Sequence, residues 1–468
     1  MTYDCAILGA GPGGYVAALV AAHRGLKTVV IEKDKAGGVC TNRGCIPSKV
    51  LLYATGAFLD LKNLTSFGLK VENAHIDIDV LRKRKERAIL RTVKSIEYLL
   101  RENGIELIKG TGVFTSADSL KVTALDGTEQ TVRAKNIIIA TGSSPIELPG
   151  LEPDGRQVIT SDEALDLPDV PQKMMVIGGG PIGLEMAEIY AALGSEIVIV
   201  ELLPTLLPGM DADLCEAIQT AFVRRGMTVR TGAKVTNLNR QGNGQVITSI
   251  SAADGSSTEE LTCDRVLVSV GMKPNTADLA LEKIGVQTDG RGFITVDRQM
   301  KTTVDGIYAI GDVVGGKLLA HKASREGHVA AEVIAGKDVS IDYRSLPGAV
   351  FTHPELASVG LTEKEAREQY GEVDVGKTSL QAIGKAVATG HGDGFAKVIS
   401  HKETGEILGV HIVAPNAGDL IGEAALAMRL KATAADIGST IHVHPTISEA
   451  LMESALDAGG NAVHTVKK

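Results

Sequence analysis

The chain is short of several things, and each shortage narrows what it can be. It has no Trp, and aromatic residues occupy 3% of its 468 positions. Five cysteines cannot staple a chain of this length, so it is no disulfide scaffold. A basic surplus is missing too. Lys and Arg number 48 against 57 Asp and Glu, a formal net charge of −9, which argues against nucleic acid or an anionic membrane surface as the main partner. The one long uncharged run, residues 5–22, holds Gly9, Gly11, Pro12, Gly13 and Gly14 in a cluster that breaks a helix, so it is read as no membrane span. Nor is it read as a secretory signal, because Asp4 precedes it and no basic region does. The expected location is the cytoplasm, or an organelle after import.

Glycine, by contrast, is abundant. There are 53 without low complexity, as expected of a chain whose backbone makes many tight approaches, phosphate-binding loops among them. The length suits about three domains.

The strongest internal signal is a duplication. YDCAILGAGPGGYVAALVAAHRGLKTVVIEK and KMMVIGGGPIGLEMAEIYAALGSEIVIVEL both read as strand, glycine turn, Ala-rich helix and strand. Gly9, Gly11 and Gly14 align with Gly178, Gly180 and Gly183, Gly25 with Gly194, and Glu32 with Glu201, at a constant offset of 169. One G-x-G-x-x-G is weak evidence, since a tight strand-to-helix turn explains it equally. Two in register, each after an apolar run and each with an acid 23 residues past its first glycine, make the full dinucleotide fingerprint. The glycines admit a pyrophosphate to a helix N-terminus, and the acid receives a ribose. The chain should therefore hold two dinucleotides. Leu202, Leu203, Pro204, Thr205, Leu206 and Leu207 follow Glu201 without a cation, so the second site should prefer NAD to NADP.

Around this pair the expected fold is α/β, with two Rossmann-like dinucleotide-binding domains and a C-terminal α+β dimerisation domain. Residues 1–148 form the first part of one binding domain, 149–274 the second, 275–345 a return to the first, and 346–468 the interface domain. Pro145, Pro149, Gly150 and Pro153 read as a linker, and the charged stretch 80–103 as a long solvated helix.

Cys40 and Cys45 lie in GGVCTNRGCIPSK, just after the first fingerprint. Five residues of helix rise about 7.5 Å, so a tightened turn eased by Gly44 nearly closes the pair, and Pro47 suits the first turn of a following helix. C-x4-C by itself fits two unrelated buried thiols; beside a dinucleotide site, redox use gains ground. Cys5, Cys215 and Cys263 read as core.

At this point the chain resembles the pyridine nucleotide–disulfide oxidoreductases, and within them the dihydrolipoamide dehydrogenase branch. The resemblance spans nearly the whole chain through GAGPGG, GGVCTNRGCIPSK, ATGS, GGGPIGLE, AIGD, LAHKASREG, FTHPELASVGLTE and HVHPTISEA. It implies FAD on Gly9, Gly11, Gly14 and Glu32, with Asp312 at the ribitol, Ala320 near the flavin ring, and Thr141, Gly142, Gly271 and Gly311 among the cofactor contacts. NAD falls to Gly178, Gly180, Gly183 and Glu201. The resemblance also implies that Cys40 and Cys45 form the redox disulfide, Cys45 towards the flavin and Cys40 towards substrate, with Lys49 paired to Glu185. His444 is the implied base, held in its backbone by Pro445 and oriented by Glu449. It would serve the neighbouring subunit's site, making a homodimer necessary. His442 is read as structural, and no metal is expected.

The implied reaction oxidises protein-bound dihydrolipoamide with NAD⁺. The implied partners are a lipoyl-bearing protein or domain and the acyltransferase core of a 2-oxo acid dehydrogenase complex, or a glycine cleavage system. Val39, Arg43 and the pair Ala357-Ser358 depart from the branch's common pattern. Glutathione or trypanothione reductase would want cations after Glu201. Mercuric reductase would want a vicinal cysteine pair near the C-terminus, which NAVHTVKK lacks, and soluble transhydrogenase typically lacks one redox cysteine. A flavoprotein subunit with mainly a binding role would have no need of Cys40, Cys45, His444 and Glu449 together.

Overall fold

The computed structural model describes residues 2–167 and 169–464, leaving out the side chains of Lys62 and Asn63. The chain forms two compact units, each assembled from three stretches. The first takes residues up to 51, then 77–147 and 271–342; the second takes 52–76, 148–270 and 343 onward. The stretch 52–76 thus clusters with the second unit, and four sequence segments condense into two bodies.

In the first unit a parallel sheet runs in the order Ile307–Ala309, Glu129–Ile139, Thr2–Leu8, Thr28–Glu32, Glu106–Ser116. Its middle strands are continuous apolar runs, as strands covered on both faces must be. Cys5, Ile7, Val29, Val30, Ile137 and Ile138 are fully buried. The two longest strands extend past the parallel region and are joined there by Ser119–Ala124, antiparallel to both. The helix Pro12–His23 begins with Pro at its first position, where the missing N–H costs nothing. Its small residues let the helix Ala320–Ile334 approach closely: a Cβ on Gly327 would stand 2.4 Å from the Gly13 carbonyl oxygen.

The second unit repeats the pattern in the order Thr228–Arg230, Glu196–Val200, Lys173–Ile177, Arg265–Val268, Val158–Ile159, all parallel. A three-stranded antiparallel meander covers residues 233–263. The C-terminal stretch supplies a five-stranded antiparallel sheet in the order Gly348–Val350, Glu355–Gly360, Ile407–Ala414, Phe395–His401, Val373–Ser379. The helices Ala417–Arg429 and Glu449–Ala458 bury their Ala and Leu faces in the same core, alongside Ala357.

The helix expected over 80–103 is Ile78–Glu102, started by Asp77, whose carboxylate accepts from the Val80 amide at 3.0 Å. Another helix, Cys45–Asn63, leaves the first unit and ends in the second.

Candidate active site

The two fingerprints adopt the same local geometry down to their hydrogen bonds. Glu32 ends its strand buried. One carboxylate oxygen accepts from the Ala10 amide at 2.7 Å and the other from Asp34 at 2.8 Å. Glu201 does the same with Gly179 at 2.6 Å and Leu203 at 2.7 Å. Both acids therefore brace their glycine loops, a duty that sequence reasoning did not include.

The glycines divide the labour. Gly9 and Gly178 have φ of +103° and +108°, and an added Cβ would lie 2.3 Å from the Ala140 oxygen and 2.4 Å from the Ser269 oxygen. Gly14 and Gly183 pack on the carbonyls of Gly9 and Gly178, at 1.9 and 2.2 Å from such a Cβ. The middle glycines differ. A Cβ on Gly11 meets nothing nearer than 4.0 Å, and one on Gly180 meets nothing at all. Both cap their helices without any side-chain hydrogen bond, leaving first-turn N–H groups for an incoming anion. Open space at the second glycine and closed packing at the other two is the shape a pyrophosphate requires, so the residues present fit FAD and NAD.

Cys40 and Cys45 do not share one helix. Cys40 lies in Gly38–Arg43 and Cys45 opens Cys45–Asn63, and the chain breaks between them at Gly44, with φ −145° and ψ −109°. The break brings the two thiols into hydrogen-bonding contact. That hydrogen bond, burial and the charge of Cys45 all push the Cys40 thiol above the ordinary cysteine range, while the Lys49 ammonium, one turn along the helix, pulls against them. Pro47 falls in the first turn of the second helix, as expected. Asn42 pins the turn by donating to the Ala36 and Gly38 carbonyls at 3.1 and 2.9 Å. The Gly37 amide donates to Ala10 at 2.8 Å, so the cysteine segment is tied to the first glycine loop.

The remaining first-unit residues converge on the sheet's carboxyl end. Asp312 sits in a short turn after the strand Ile307–Ala309, and the Ser143 hydroxyl donates to it at 2.6 Å. Gly311 precedes it at φ +77°, and its amide donates to the fully buried Glu326. Lys322 bridges Glu326 at 3.0 Å. Ala320 is the first residue of its helix. Thr141 and Gly142 are held by Asn275, through Thr141 Oγ1 to the Asn275 carbonyl at 2.8 Å and Asn275 N to the Gly142 carbonyl at 3.0 Å. Gly271, φ +124°, accepts from the Ile146 amide.

In the second unit His444 Nδ1 lies 2.8 Å from Glu449 Oε1, and the other Glu449 oxygen accepts from the Thr446 amide at 2.8 Å. This orients the imidazole with Nε2 outward, and its side chain is 77% exposed. Burial raises the Glu449 carboxyl, but the Thr446 amide and the His444 ring outweigh it and hold the group below the usual carboxylate range. His442 is instead tied up at both nitrogens, to the Thr440 carbonyl at 2.9 Å and Glu423 at 3.0 Å, which agrees with a structural part. Glu185 is buried on the helix Pro181–Leu193 and accepts from the Phe351 amide at 3.2 Å. Lys49 and Glu185 belong to different units.

A sequence profile of the pyridine nucleotide-disulphide oxidoreductases matches residues 3–327, and one for that group's dimerisation domain matches 346–455. The chain belongs to the pyridine nucleotide-disulphide oxidoreductase family. It is 45% identical over 457 residues to dihydrolipoyl dehydrogenase of Chlorobaculum tepidum, with 97% of each chain covered. It is 42% identical over 463 residues to mitochondrial dihydrolipoyl dehydrogenase of Pisum sativum, covering 98% of this chain and 92% of that one. The crystal structure of LpdA from Mycobacterium tuberculosis matches with a TM-score of 0.90 at 30% identity, over 96% of this chain and 98% of that one.

Sequence reading missed several buried polar contacts, some of them with candidate site residues. Lys322 and Glu326 stand four apart inside LAHKASREG, a spacing that signals a helical ion pair. Asn275 and Ser143 gave no signal beyond lying next to cofactor motifs. Glu188 is completely buried and grips His353 Nδ1 at 2.7 Å and Arg225 at 2.8 Å. Nothing in the sequence joins residues that far apart. Among the described residues, no helix is long and apolar enough to cross a membrane.

Proposed function

We propose that the chain is the dihydrolipoamide dehydrogenase subunit of a 2-oxo acid dehydrogenase or glycine cleavage complex. On this reading it reoxidises a dihydrolipoyl group carried on another protein and reduces NAD⁺, working as a homodimer. The observation that carries the reading is the Cys40–Cys45 pair, closed by the break at Gly44 and tied through Gly37 to the first dinucleotide loop.

Gly9, Gly11, Gly14, Glu32, Thr141, Gly142, Gly271, Gly311, Asp312 and Ala320 hold FAD. Gly178, Gly180, Gly183 and Glu201 hold NAD, and Glu201 repels the extra phosphate of NADP. Bound FAD supplies two-electron transfer between the protein dithiol and the nicotinamide.

His444 Nε2 accepts a proton from one substrate thiol, while Glu449 stabilises the imidazolium that results. The substrate thiolate attacks Cys40 Sγ and breaks the Cys40–Cys45 bond, whose electron pair leaves on Cys45. The second substrate thiol then displaces Cys40, closes the lipoyl ring and leaves both cysteines reduced. Two protons and two electrons have moved from substrate to protein. The three other cysteines are buried and inert, a usage suited to a reducing compartment, and we place the protein in the cytoplasm.

The test uses purified protein. Its flavin spectrum is recorded, and NAD⁺ reduction by free dihydrolipoamide is followed with NADP⁺ in parallel. Rapid NADH formation with little NADPH is expected. A flavin-loaded protein inert to dihydrolipoamide overturns the reading.

A further inference from the structure

The helix Ile78–Glu102 carries charge that the reaction does not use. One face is core: Leu81, Lys85, Val93, Ile96 and Leu100 are buried. Ile96 reaches the cysteine segment, since a Cβ on Gly37 would stand 3.0 Å from its Cδ1. The face turned away holds Arg84, Arg87, Arg91 and Lys94, all exposed. Their spacing of three, four and three residues lines them along one stripe about 15 Å long. None of the four has an ion-pair partner among the described residues. The helix's charged ends are matched instead, through Arg82 with Asp79, Arg101 with Glu102, and Glu97 with Lys109.

Four unneutralised cations on one helical face are unusual in a chain of net charge −9. A solvated helix normally intersperses signs, which cuts self-repulsion. Here the cost is left standing on the helix whose Ile96 packs against the segment leading into Cys40. A field of this kind steers an anionic macromolecule and is of no use to a small neutral dithiol.

We propose that Arg84, Arg87, Arg91 and Lys94 form a docking stripe for the acidic protein domain that carries the dihydrolipoyl group. This rests on the function proposed above and adds how the carrier is recognised. The stripe raises the encounter rate and presents the carrier beside the Cys40 helix; it takes no part in thiol exchange.

The experiment compares two substrates on the flavin-loaded enzyme: free dihydrolipoamide and a reduced lipoyl domain of net negative charge. The variants are a quadruple reversal (Arg84→Glu, Arg87→Glu, Arg91→Glu, Lys94→Glu) and a milder set with Gln at the same four positions. With the lipoyl domain, kcat/KM should fall at least about tenfold in the reversal and several-fold in the Gln set, mainly through KM. With free dihydrolipoamide both should stay within about twofold of the parent. On the parent enzyme, raising salt from about 0.05 to 0.5 M should lower kcat/KM for the domain and leave that for free dihydrolipoamide nearly unchanged. Direct titration of the domain by calorimetry should show the same loss of affinity. Equal kinetics with the domain in all variants overturns the stripe while leaving the reaction intact. Loss of the dimer in the reversal, seen by light scattering, assigns the stripe to contact between copies and overturns it as well. Failure of the parent on free dihydrolipoamide is the distinct failure of the proposed function.

Discussion

The two glycine loops are near copies, and what separates them is the segment each one receives. The carbonyl of Ala10 in the first loop accepts from Gly37; the equivalent carbonyl of Gly179 in the second accepts from Leu207, at 2.8 and 2.9 Å. Around the first loop lie the glycines that begin the Cys40 helix, close enough that a Cβ on Gly38 would be 2.7 Å from Gly11 Cα. Around the second lies a leucine loop, with Leu206 buried against Gly179 and Leu202 and Leu203 exposed. On the function proposed above, one cradle serves chemistry and its near copy serves binding, and the neighbouring segment makes the difference.

The hardest way to break this comparison is to remove the thiol and keep the cradle. Cys45→Ser should cut dihydrolipoamide oxidation by more than about 1,000-fold while the flavin content measured by absorbance stays at parent level. Retained turnover would show that the neighbour does not distinguish the loops. Next in size is the base. His444→Gln should lower kcat/KM by about 100-fold or more, and Glu449→Gln by less, with nucleotide affinity unchanged in both. Because the Glu449 carboxyl sits below its ordinary range, its contribution is present above the usual Glu pKa and lost only as pH falls through the depressed value. Its charge should therefore persist above about pH 5, so the Glu449→Gln defect should be present throughout that range in steady-state assays and shrink only at more acid pH.

A finer test lies within the second loop itself. Gly180→Ala projects into open space, so its melting temperature should hold while KM for NAD⁺ rises about tenfold or more. Gly178→Ala forces φ +108° on an L-residue and a 2.4 Å contact with Ser269, so it should lose about 2 kcal/mol or more of stability. Equal thermal shifts for the two would show that the middle glycine is a packing residue and no ligand cradle.

The smallest effect concerns His353, which faces Glu188, Arg225 and Asp60. The hydrogen bond to Glu188 outweighs burial and raises its pKa. Its stabilising charge is complete below the ordinary His value of about 6.5 and is lost as pH rises through the raised one. The melting-temperature gap between parent and His353→Gln should be widest at the acid end of that range and narrow towards pH 9. A gap that widens with pH would reverse the assignment.

The duplicated cradle was legible because a dinucleotide fingerprint is local. Strand, glycine turn, helix and acid follow one another within 31 residues, and the offset of 169 recurs in the hydrogen bonds at Ala10 and Gly179, and at Asp34 and Leu203. The His444–Glu449 contact, five residues apart, was legible for the same reason. The turn between the cysteines was only half legible. Gly44 reads as easing a tightened turn ahead of a following helix; the following helix is there, but Gly44 separates it from a preceding one, since C-x4-C spacing alone cannot distinguish a bend from a break. Asn275 bonding Thr141, Ser143 bonding Asp312 and Glu188 bonding His353 were not legible. Those contacts join residues 134, 169 and 165 apart, and only the tertiary fold brings them together.

The threading of the chain has a consequence for how the protein is made. The first unit cannot close until the stretch 271–342 has emerged, because the strand Ile307–Ala309 and the helix Ala320–Ile334 complete its sheet and cover its first helix. At about 5–20 residues per second, roughly 15–58 seconds separate Leu51 from the end of that stretch on the ribosome. For that time the first glycine loop lacks the helix that packs on Gly13, and the two cysteines beside it are held in an unfinished site. The nascent protein thus carries this cysteine pair unfinished through more than half of its synthesis, and neither unit can be cut out as a single continuous fragment.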